Sequence, residues 1–171
     1  MSDLTIVVVV GNPSPGGRTS RAAIAVAEKV AESTGVAEIS QFELAEVAPL
    51  LFNRDSTKVN EYLLALASSD LAIIASPTYK ASFTGLLKAF LDRYGSDGLA
   101  GVVAVPVMLG ASPIHHLAPE TQLRPVLIEL GATMPTRSFF LVDRDIDRVD
   151  EKIATWWANA ENPLLRSLGL G

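Results

Sequence analysis

The chain has 171 residues, of which 49% are hydrophobic and 19% charged, with a formal net charge of −5 and no cysteine. This length predicts a single domain over residues 1–171, and the acidic balance argues against a nucleic-acid partner. The lack of cysteine excludes disulfides, thiolate zinc sites and a cysteine nucleophile. No apolar run approaches the roughly 20 residues that span a bilayer, and no basic leader precedes the first one, so we expect a soluble cytoplasmic protein without membrane partners.

Apolar runs alternate with helical patterns along the chain, which predicts a doubly wound α/β fold with a parallel sheet and helices on both faces. Ligands on such sheets bind beyond the carboxyl ends of the strands, where the strand order reverses. Residues 42–56 have no clean period and are interpreted as a surface connection. The predicted strands are 4–10, 37–40, 71–76, 102–109 and 138–142, and the predicted helices are one that ends at Gly35 and those over 60–69, 84–94, 119–130 and 146–160.

Two prolines lie inside predicted elements. Pro106 falls in the fourth strand and is tolerable there if its missing N–H lies at a bulge or a strand end. Pro125 falls in the fourth helix and should either kink that helix or shift its start.

The first of three strand-end loops, residues 11–20, combines glycines and prolines with small hydroxyl side chains. A strand, such a loop and a helix N-terminus in succession favour an anion site, and a phosphate monoester is the ligand we expect. Neither G-x-G-x-x-G nor G-K-[ST] is present. The candidate groups are Ser14, Thr19, Ser20 and the cation Arg18. The alternative is an ordinary turn capped by Thr19 or Ser20.

The second loop, residues 77–84, carries aromatic side chains at the same predicted edge. Pro77 stiffens the exit from the third strand, and the amides of Thr78 or Tyr79 are placed to reach the polar rim of a flat heteroaromatic ring. The alternative is that Tyr79 and Phe83 only seal the loop against the following helix.

The third loop, residues 110–116, contains adjacent histidines. No carboxylate stands at ligand spacing from them, so we predict no metal site. His115 and His116 are expected to line the edge of a ligand site or to donate hydrogen bonds, with proton transfer left open. Gly110 is expected to let a ring approach the backbone. No G-x-S-x-G elbow is present, and the aspartates of residues 143–150 are interpreted as a solvated loop.

The segment Pro77-Thr78-Tyr79-Lys80-Ala81-Ser82-Phe83-Thr84-Gly85-Leu86-Leu87-Lys88 resembles the P-x-Y-K-A-x-[YF]-[ST]-G-x-L-K motif of a known family. That family is the flavodoxin-like NAD(P)H-dependent FMN reductases, and in particular the branch that supplies reduced flavin to two-component monooxygenases such as those acting on alkanesulfonates. The similarity runs over about residues 4–160. It includes Leu123-Arg124-Pro125-Val126-Leu127, which accounts for the proline there.

The resemblance implies a flavodoxin-like sheet of order 2-1-3-4-5, FMN as cofactor and NADPH or NADH as reductant. Hydride transfer between the two cofactors needs no protein acid or base, so no catalytic residue is predicted. The composition also predicts a homodimer or homotetramer, although burial within one subunit explains Trp156 and Trp157 equally well. The implied FMN-binding residues are Asn12, Ser14, Arg18, Thr19 and Ser20 at the phosphate, Pro77, Thr78, Tyr79 and Lys80 beside the isoalloxazine, and Gly110, Ala111 and Ser112 at its other edge, next to His115.

The sequence departs from the family pattern in three features. The usual G-S-x-R opening reads Gly11-Asn12-Pro13-Ser14, a later loop serine is Gly17, and residues 118–122 lack the aromatic that some members carry. Fewer phosphate contacts predict looser flavin binding. The alternatives are a quinone or azo reductase with tightly held FMN and, from another class, a flavodoxin-like electron carrier or binding module.

Overall fold

The computed structural model describes residues 4–36 and 38–171, which build a five-stranded, fully parallel sheet with the order β2-β1-β3-β4-β5. This is the predicted order. The chain runs from β1 outward to β2 and then crosses to β3, so the order reverses between β1 and β3. The strands are β1 (Ile6–Val10), β2 (Ile39–Glu43), β3 (Leu71–Pro77), β4 (Val103–Gly110) and β5 (Phe139–Val142).

Helices cover both faces of the sheet, which explains why the central strands are apolar throughout. In β1, Val8 belongs to the core beneath α1 and α5, whereas Val7 and Val9 belong to the core beneath α2, α3 and α4. A strand buried on both faces has no polar alternation, as the run Ile6–Val10 predicts. The helices are α1 (Arg18–Thr34), α2 (Thr57–Ala67), α3 (Gly85–Leu91), α4 (Arg124–Glu129) and α5 (Val149–Ser167).

Several predicted elements have different bounds in the structure, among them the second strand and the third helix. The second strand was predicted at 37–40 but runs over Ile39–Glu43, because it pairs with β1 in register up to Val10 opposite Glu43; Ala37 lies outside the described residues. Helix α3 is shorter than the predicted 84–94, since Thr84 is its N-cap and the chain turns after Leu91.

The prediction of a plain surface connection over 42–56 was wrong. A 3₁₀ helix spans Leu44–Leu50, and Leu44, Val47 and Leu51 are buried. Side chains three residues apart share one face of a 3₁₀ helix, so the buried pair Leu44 and Val47 follows a period of 3.0 rather than 3.6.

Arg93, just beyond α3, fastens the chain that follows this 3₁₀ helix. Its guanidinium donates to the carbonyl oxygens of Leu51 (2.8 Å), Asn53 (3.2 Å) and Arg54 (3.1 Å) and to Asn60 Oδ1 of α2 (3.1 Å). One cation thereby satisfies four acceptors from two segments.

Pro106 lies inside β4 without breaking the sheet. Val103 N–H donates to Asp70 O on the β3 side, and Ala104 N–H donates to Thr133 O on the opposite side. Successive amides of a strand alternate in direction, so position 106 faces the same side as Ala104. Pro106 is therefore inside β4 and not, as we expected, at a bulge or a strand end; its missing N–H is tolerated because the pairing of β4 with β5 begins only at Val107.

The single helix predicted over 119–130 is two segments. A π-helical turn at Pro119–Leu123 closes with Arg124 N–H donating to Pro119 O, and α4 follows. Pro125 is the second residue of α4, so it shifts the helix start, where a missing N–H costs little.

The last helix is longer than the predicted 146–160, because Asp143–Arg148 forms a 3₁₀ turn and α5 continues to Ser167. Trp157 is buried in the core of this one chain, and Trp156 packs edge-on against Phe139 while its Nε1–H donates to Arg137 O. In the parts of the chain that the structure describes, no helix is both long and apolar enough to cross a membrane.

Candidate functional site

The three predicted loops leave the carboxyl ends of β1, β3 and β4, which are adjacent in the sheet. Direct hydrogen bonds join them. Gly11 N–H donates to Ala75 O (2.8 Å), and Thr78 N–H donates to Leu109 O (2.6 Å). The Thr84 hydroxyl donates to Gly11 O (2.5 Å). The loops therefore form one connected edge at the point where the strand order reverses, which is where doubly wound sheets bind ligands.

The first loop is ordered by its own side chains. Asn12 Oδ1 accepts the Ser14 N–H (3.0 Å), and Asn12 Nδ2 lies 3.4 Å from Thr19 Oγ1. Gly16 has a φ of 66°, a conformation that glycine adopts without strain. Ser14 is exposed, so its hydroxyl faces solvent beside the helix that follows.

The N-terminus of α1 points into this loop. Its N-cap is Gly17, and among the described residues no side chain caps this end and no acidic residue stands in the first turn. The first helical bond that leads back to the loop is Arg21 N–H to Gly17 O, so the amides of the residues before Arg21 have no acceptor within the helix. The partial positive charge of a 17-residue helix is thus presented to the loop.

The predicted phosphate-binding side chains differ in exposure. Arg18 is exposed, but Thr19 and Ser20 are buried in the first turn of α1. Neither Thr19 nor Ser20 caps the helix. Ser20 Oγ accepts a hydrogen bond from Gln41 Nε2 (2.6 Å).

Glu43 is a residue of this site that sequence reasoning missed. It ends β2, is 9% exposed, and its Oε1 accepts the Gly16 N–H (3.3 Å) and a bond from Gln41 Nε2 (2.9 Å). The available signal was its place at the carboxyl end of the strand beside β1. That signal was hidden because the predicted strand stopped at residue 40.

The second loop is a tight turn. Tyr79 and Ser82 exchange two backbone hydrogen bonds of 2.8 and 3.1 Å, and the central residues Lys80 and Ala81 have φ values of 51° and 64°. Two positive φ values define a type I′ turn, which favours Asn and Gly rather than Lys and Ala. Non-glycine residues in this region store strain, and such strain concentrates at ligand sites.

The aromatic side chains of the second loop have different surroundings. Tyr79 is 51% exposed, whereas Phe83 packs against the core. Phe83 therefore seals the loop against α3, and Tyr79 remains at the open edge. Pro77 and Thr78, which precede Tyr79, are half-buried. The Thr78 hydroxyl is buried and has no hydrogen-bond partner within the described residues.

The third loop places a tight backbone next to an exposed apolar segment. A Cβ at Gly110 would lie 3.0 Å from Phe140 Cζ, so the lack of a side chain here makes room for Phe140. The approach of a ligand ring to this backbone stays a prediction. Ala111 is exposed and Ser112 caps the short 3₁₀ turn Pro113–His115. His115 is half-buried.

The histidines of the third loop are tied to its backbone. His115 N–H donates to Ser112 O, and His116 Nδ1 lies 3.0 Å from Pro113 O. Beside them Ile114 is 77% exposed and Leu117 is 54% exposed. An open, apolar third loop suits a planar ligand, while the positive helix end and Arg18 suit its phosphate. The residues present therefore fit a flavin mononucleotide.

An all-parallel sheet of order 2-1-3-4-5, with a ligand edge at β1 and β3, defines the flavodoxin-like class of α/β proteins. Residues 4–147 match the model of the NADPH-dependent FMN reductase family. The chain belongs to this family of oxidoreductases, and the predicted resemblance is confirmed. FMN and a nicotinamide nucleotide, the predicted cofactors, are those that define the family.

Individual relatives agree with this assignment. An FMN reductase (NADPH) of Escherichia coli (strain K12) is 28% identical over 90% of this chain and 88% of that protein. The NADH-dependent FMN reductase SfnF of Pseudomonas putida is 32% identical over 78% of this chain and 75% of its own length. A solved structure of an NADH:FMN oxidoreductase (EMOB) in its apo form superposes with a TM-score of 0.79 at 32% identity, covering 95% and 94% of the two chains.

Proposed function

We propose that this protein is an NAD(P)H-dependent FMN reductase that binds FMN across its three loops and reduces it with hydride from a nicotinamide nucleotide. The observation that carries the proposal is the uncapped, positively charged N-terminus of α1, which faces a loop joined directly to the strained second loop. FMN would supply the electron-accepting ring. The whole chain would act as one flavin-binding unit.

The side chains divide the binding task. Arg18, Ser14 and the free amides at the start of α1 hold the phosphate, with Asn12 keeping the loop in shape and Thr19 and Ser20 anchoring it from below. Charge-assisted hydrogen bonds of this kind are short and strong.

The second and third loops position the ring. The rigid turn after Pro77 and Thr78 fixes Tyr79 and Lys80 beside one edge, and the backbone of Gly110, Ala111 and Ser112 borders the other, near His115. The task of these residues is to stack and align two rings rather than to transfer protons. An open edge at Tyr79 and Ile114 leaves room for a visiting nicotinamide.

We also propose that the reduced flavin is passed to a flavin-dependent monooxygenase and that the protein is a homodimer or homotetramer. The motif Pro77–Lys88 and the 32% identity to SfnF support this branch of the family. The exposed side chains of Ile114, Leu117 and Ile128 offer apolar surface for a second copy.

The test is a steady-state assay of NADPH and NADH oxidation with added FMN, riboflavin or FAD. We expect oxidation that depends on added FMN. No oxidation with either nucleotide across the three flavins would overturn the proposal. A protein that keeps its flavin through gel filtration and turns over quinones by ping-pong kinetics would instead be a quinone reductase.

A further inference from the structure

The carboxylate of Glu43 occupies part of the site in which an anion would bind. Its Oε1 accepts the Gly16 N–H at 3.3 Å, and Gly16 directly precedes the N-cap of α1. Backbone amides before a helix are the groups that commonly bind phosphate. A fixed negative charge of the protein therefore already uses one donor of the first loop.

Glu43 is held in this position. Gln41 Nε2 donates to Glu43 Oε1 (2.9 Å) and to Ser20 Oγ (2.6 Å), so both hydrogens of that amide are engaged. The bridge ties the end of β2 to the first turn of α1. The Glu43 carboxylate cannot rotate into solvent without breaking its hydrogen bonds to Gly16 N–H and Gln41 Nε2.

The second oxygen of the same carboxylate is unsatisfied. Glu43 is only 9% exposed, and its Oε2 is buried without a hydrogen-bond partner among the residues described. A buried charged oxygen without a donor is unfavourable, and such groups are rare in native structures. The nearby positive charge, the N-terminus of α1, is the feature that offsets it.

From these contacts we propose that Glu43 is a specificity-determining residue that competes with the flavin phosphate for the first loop. This proposal rests on the proposed function: the negative charge of Glu43 selectively weakens the binding of flavins that carry a 5′-phosphate. Riboflavin lacks that phosphate and does not meet the carboxylate. The residue narrows the difference in affinity between the two flavins and favours release of FMN after reduction.

The experiment compares the dissociation constants of FMN and riboflavin, measured by flavin fluorescence, in the wild type and in Glu43→Gln. Glutamine keeps an acceptor for Gly16 N–H but removes the charge. We expect the FMN constant to fall about tenfold and the riboflavin constant to change less than twofold. Glu38→Gln is the matched control, because Glu38 is exposed just before the other end of β2 and its removal changes the net charge equally.

A second measurement does not depend on flavin. Inorganic phosphate should raise the melting temperature of Glu43→Gln more than that of the wild type or of Glu38→Gln. Glu43→Ser provides the same comparison if the glutamine variant folds poorly, as judged by circular dichroism.

The outcomes separate the two proposals. If the ratio of the two flavin constants is the same in wild type and variant, or FMN binding weakens, the role of Glu43 is overturned. If the wild type oxidises no nucleotide with FMN but phosphate stabilises the variant selectively, the reductase proposal fails and the competition by Glu43 stands.

Discussion

The hydroxyl of Thr84 donates a hydrogen bond of 2.5 Å to the carbonyl oxygen of Gly11, which is 73 residues away in the sequence. Thr84 Oγ1 itself accepts the Leu87 N–H (3.1 Å), and Thr84 is therefore the N-cap of α3. One buried side chain therefore links the first loop to the second and fixes the start of a helix.

We predict that Thr84→Val lowers the free energy of unfolding by about 1–3 kcal/mol, since it removes a cap and leaves a buried carbonyl without its donor. FMN binding should weaken as well, because the two loops lose their link. Urea unfolding and fluorescence titration measure the two effects. Thr84→Ser keeps the hydroxyl and should stay near wild type; equal losses in both variants would contradict the argument.

Gly11 has no space for a side chain. A Cβ there would lie 2.5 Å from Leu87 Cβ, and neither atom belongs to a flexible chain end. We expect Gly11→Ala to destabilise the protein by roughly 1–3 kcal/mol, the usual cost of overpacking a core. Gly95→Ala meets nothing within 4 Å and is the control. Thermal melting of both variants gives the comparison, and similar melting temperatures would show that the backbone relaxes freely.

Arg18 is the exposed cation at the start of α1. We predict that Arg18→Ala raises the FMN dissociation constant about tenfold, because a charge-assisted contact contributes roughly 1.5–3 kcal/mol. Riboflavin binding should not change. Arg21→Ala removes an equal charge from the next turn, where Arg21 pairs with Asp147 at 2.9 Å, and should have a smaller effect. An unchanged constant for Arg18→Ala would place the phosphate elsewhere.

The turn at Lys80 and Ala81 stores backbone strain. Replacing both by the pair that type I′ turns prefer, in the double variant Lys80→Asn and Ala81→Gly, should stabilise the protein by about 1–2 kcal/mol. Lys80→Gln with Ala81 retained is the control for the lost charge. Unfolding measurements test this, and a loss of stability in the double variant would mean that the turn is not strained.

Two tyrosines make the fold sensitive to alkaline pH. Burial, aided by a hydrogen bond to Glu46, raises the pKa of Tyr62 to about 12, and burial raises the pKa of Tyr94, whose hydroxyl donates to Leu63 O. Because both folded-state pKa values exceed the unfolded value near 10, their stabilisation is complete below pH 10 and is lost above it.

Unfolding free energies measured from pH 9 to pH 12 should therefore fall steeply in the wild type. Tyr94→Phe lacks one of the two ionisations, so its stability should fall less steeply, although it starts lower by about 1 kcal/mol for the lost hydrogen bond. Parallel pH profiles would refute the role of Tyr94.

The sheet was predictable because its signals are local. A run such as Ile6–Val10, followed by a glycine-rich loop and a helix that ends at Gly35, needs no distant contact to be recognised. Gly35 is left-handed with a φ of 76°, as a helix C-cap requires. The strand order, in contrast, came from the family resemblance.

The features that were missed depend on pairing across the fold. Glu43 enters the site only because β2 continues alongside β1 to Val10, a register that the weak signal of β2 does not contain. Gly110 is explained by Phe140, thirty residues later. The positive φ values at Lys80 and Ala81 could not be predicted, because neither residue is the Asn or Gly that usually marks such a turn. The surrounding structure imposes this conformation.

The guanidinium of Arg93 has a consequence for proteolysis. Arg93 donates a hydrogen bond to the carbonyl oxygen of Arg54, which belongs to the peptide bond between Arg54 and Asp55. Trypsin would cut this bond, which lies in an exposed stretch of chain. Cleavage after Arg54 requires this carbonyl to leave Arg93, and the neighbouring bonds to Leu51 and Asn53 must loosen with it. The rate of cleavage at this one bond therefore measures how often the hydrogen bonds between Arg93 and the segment before α2 break.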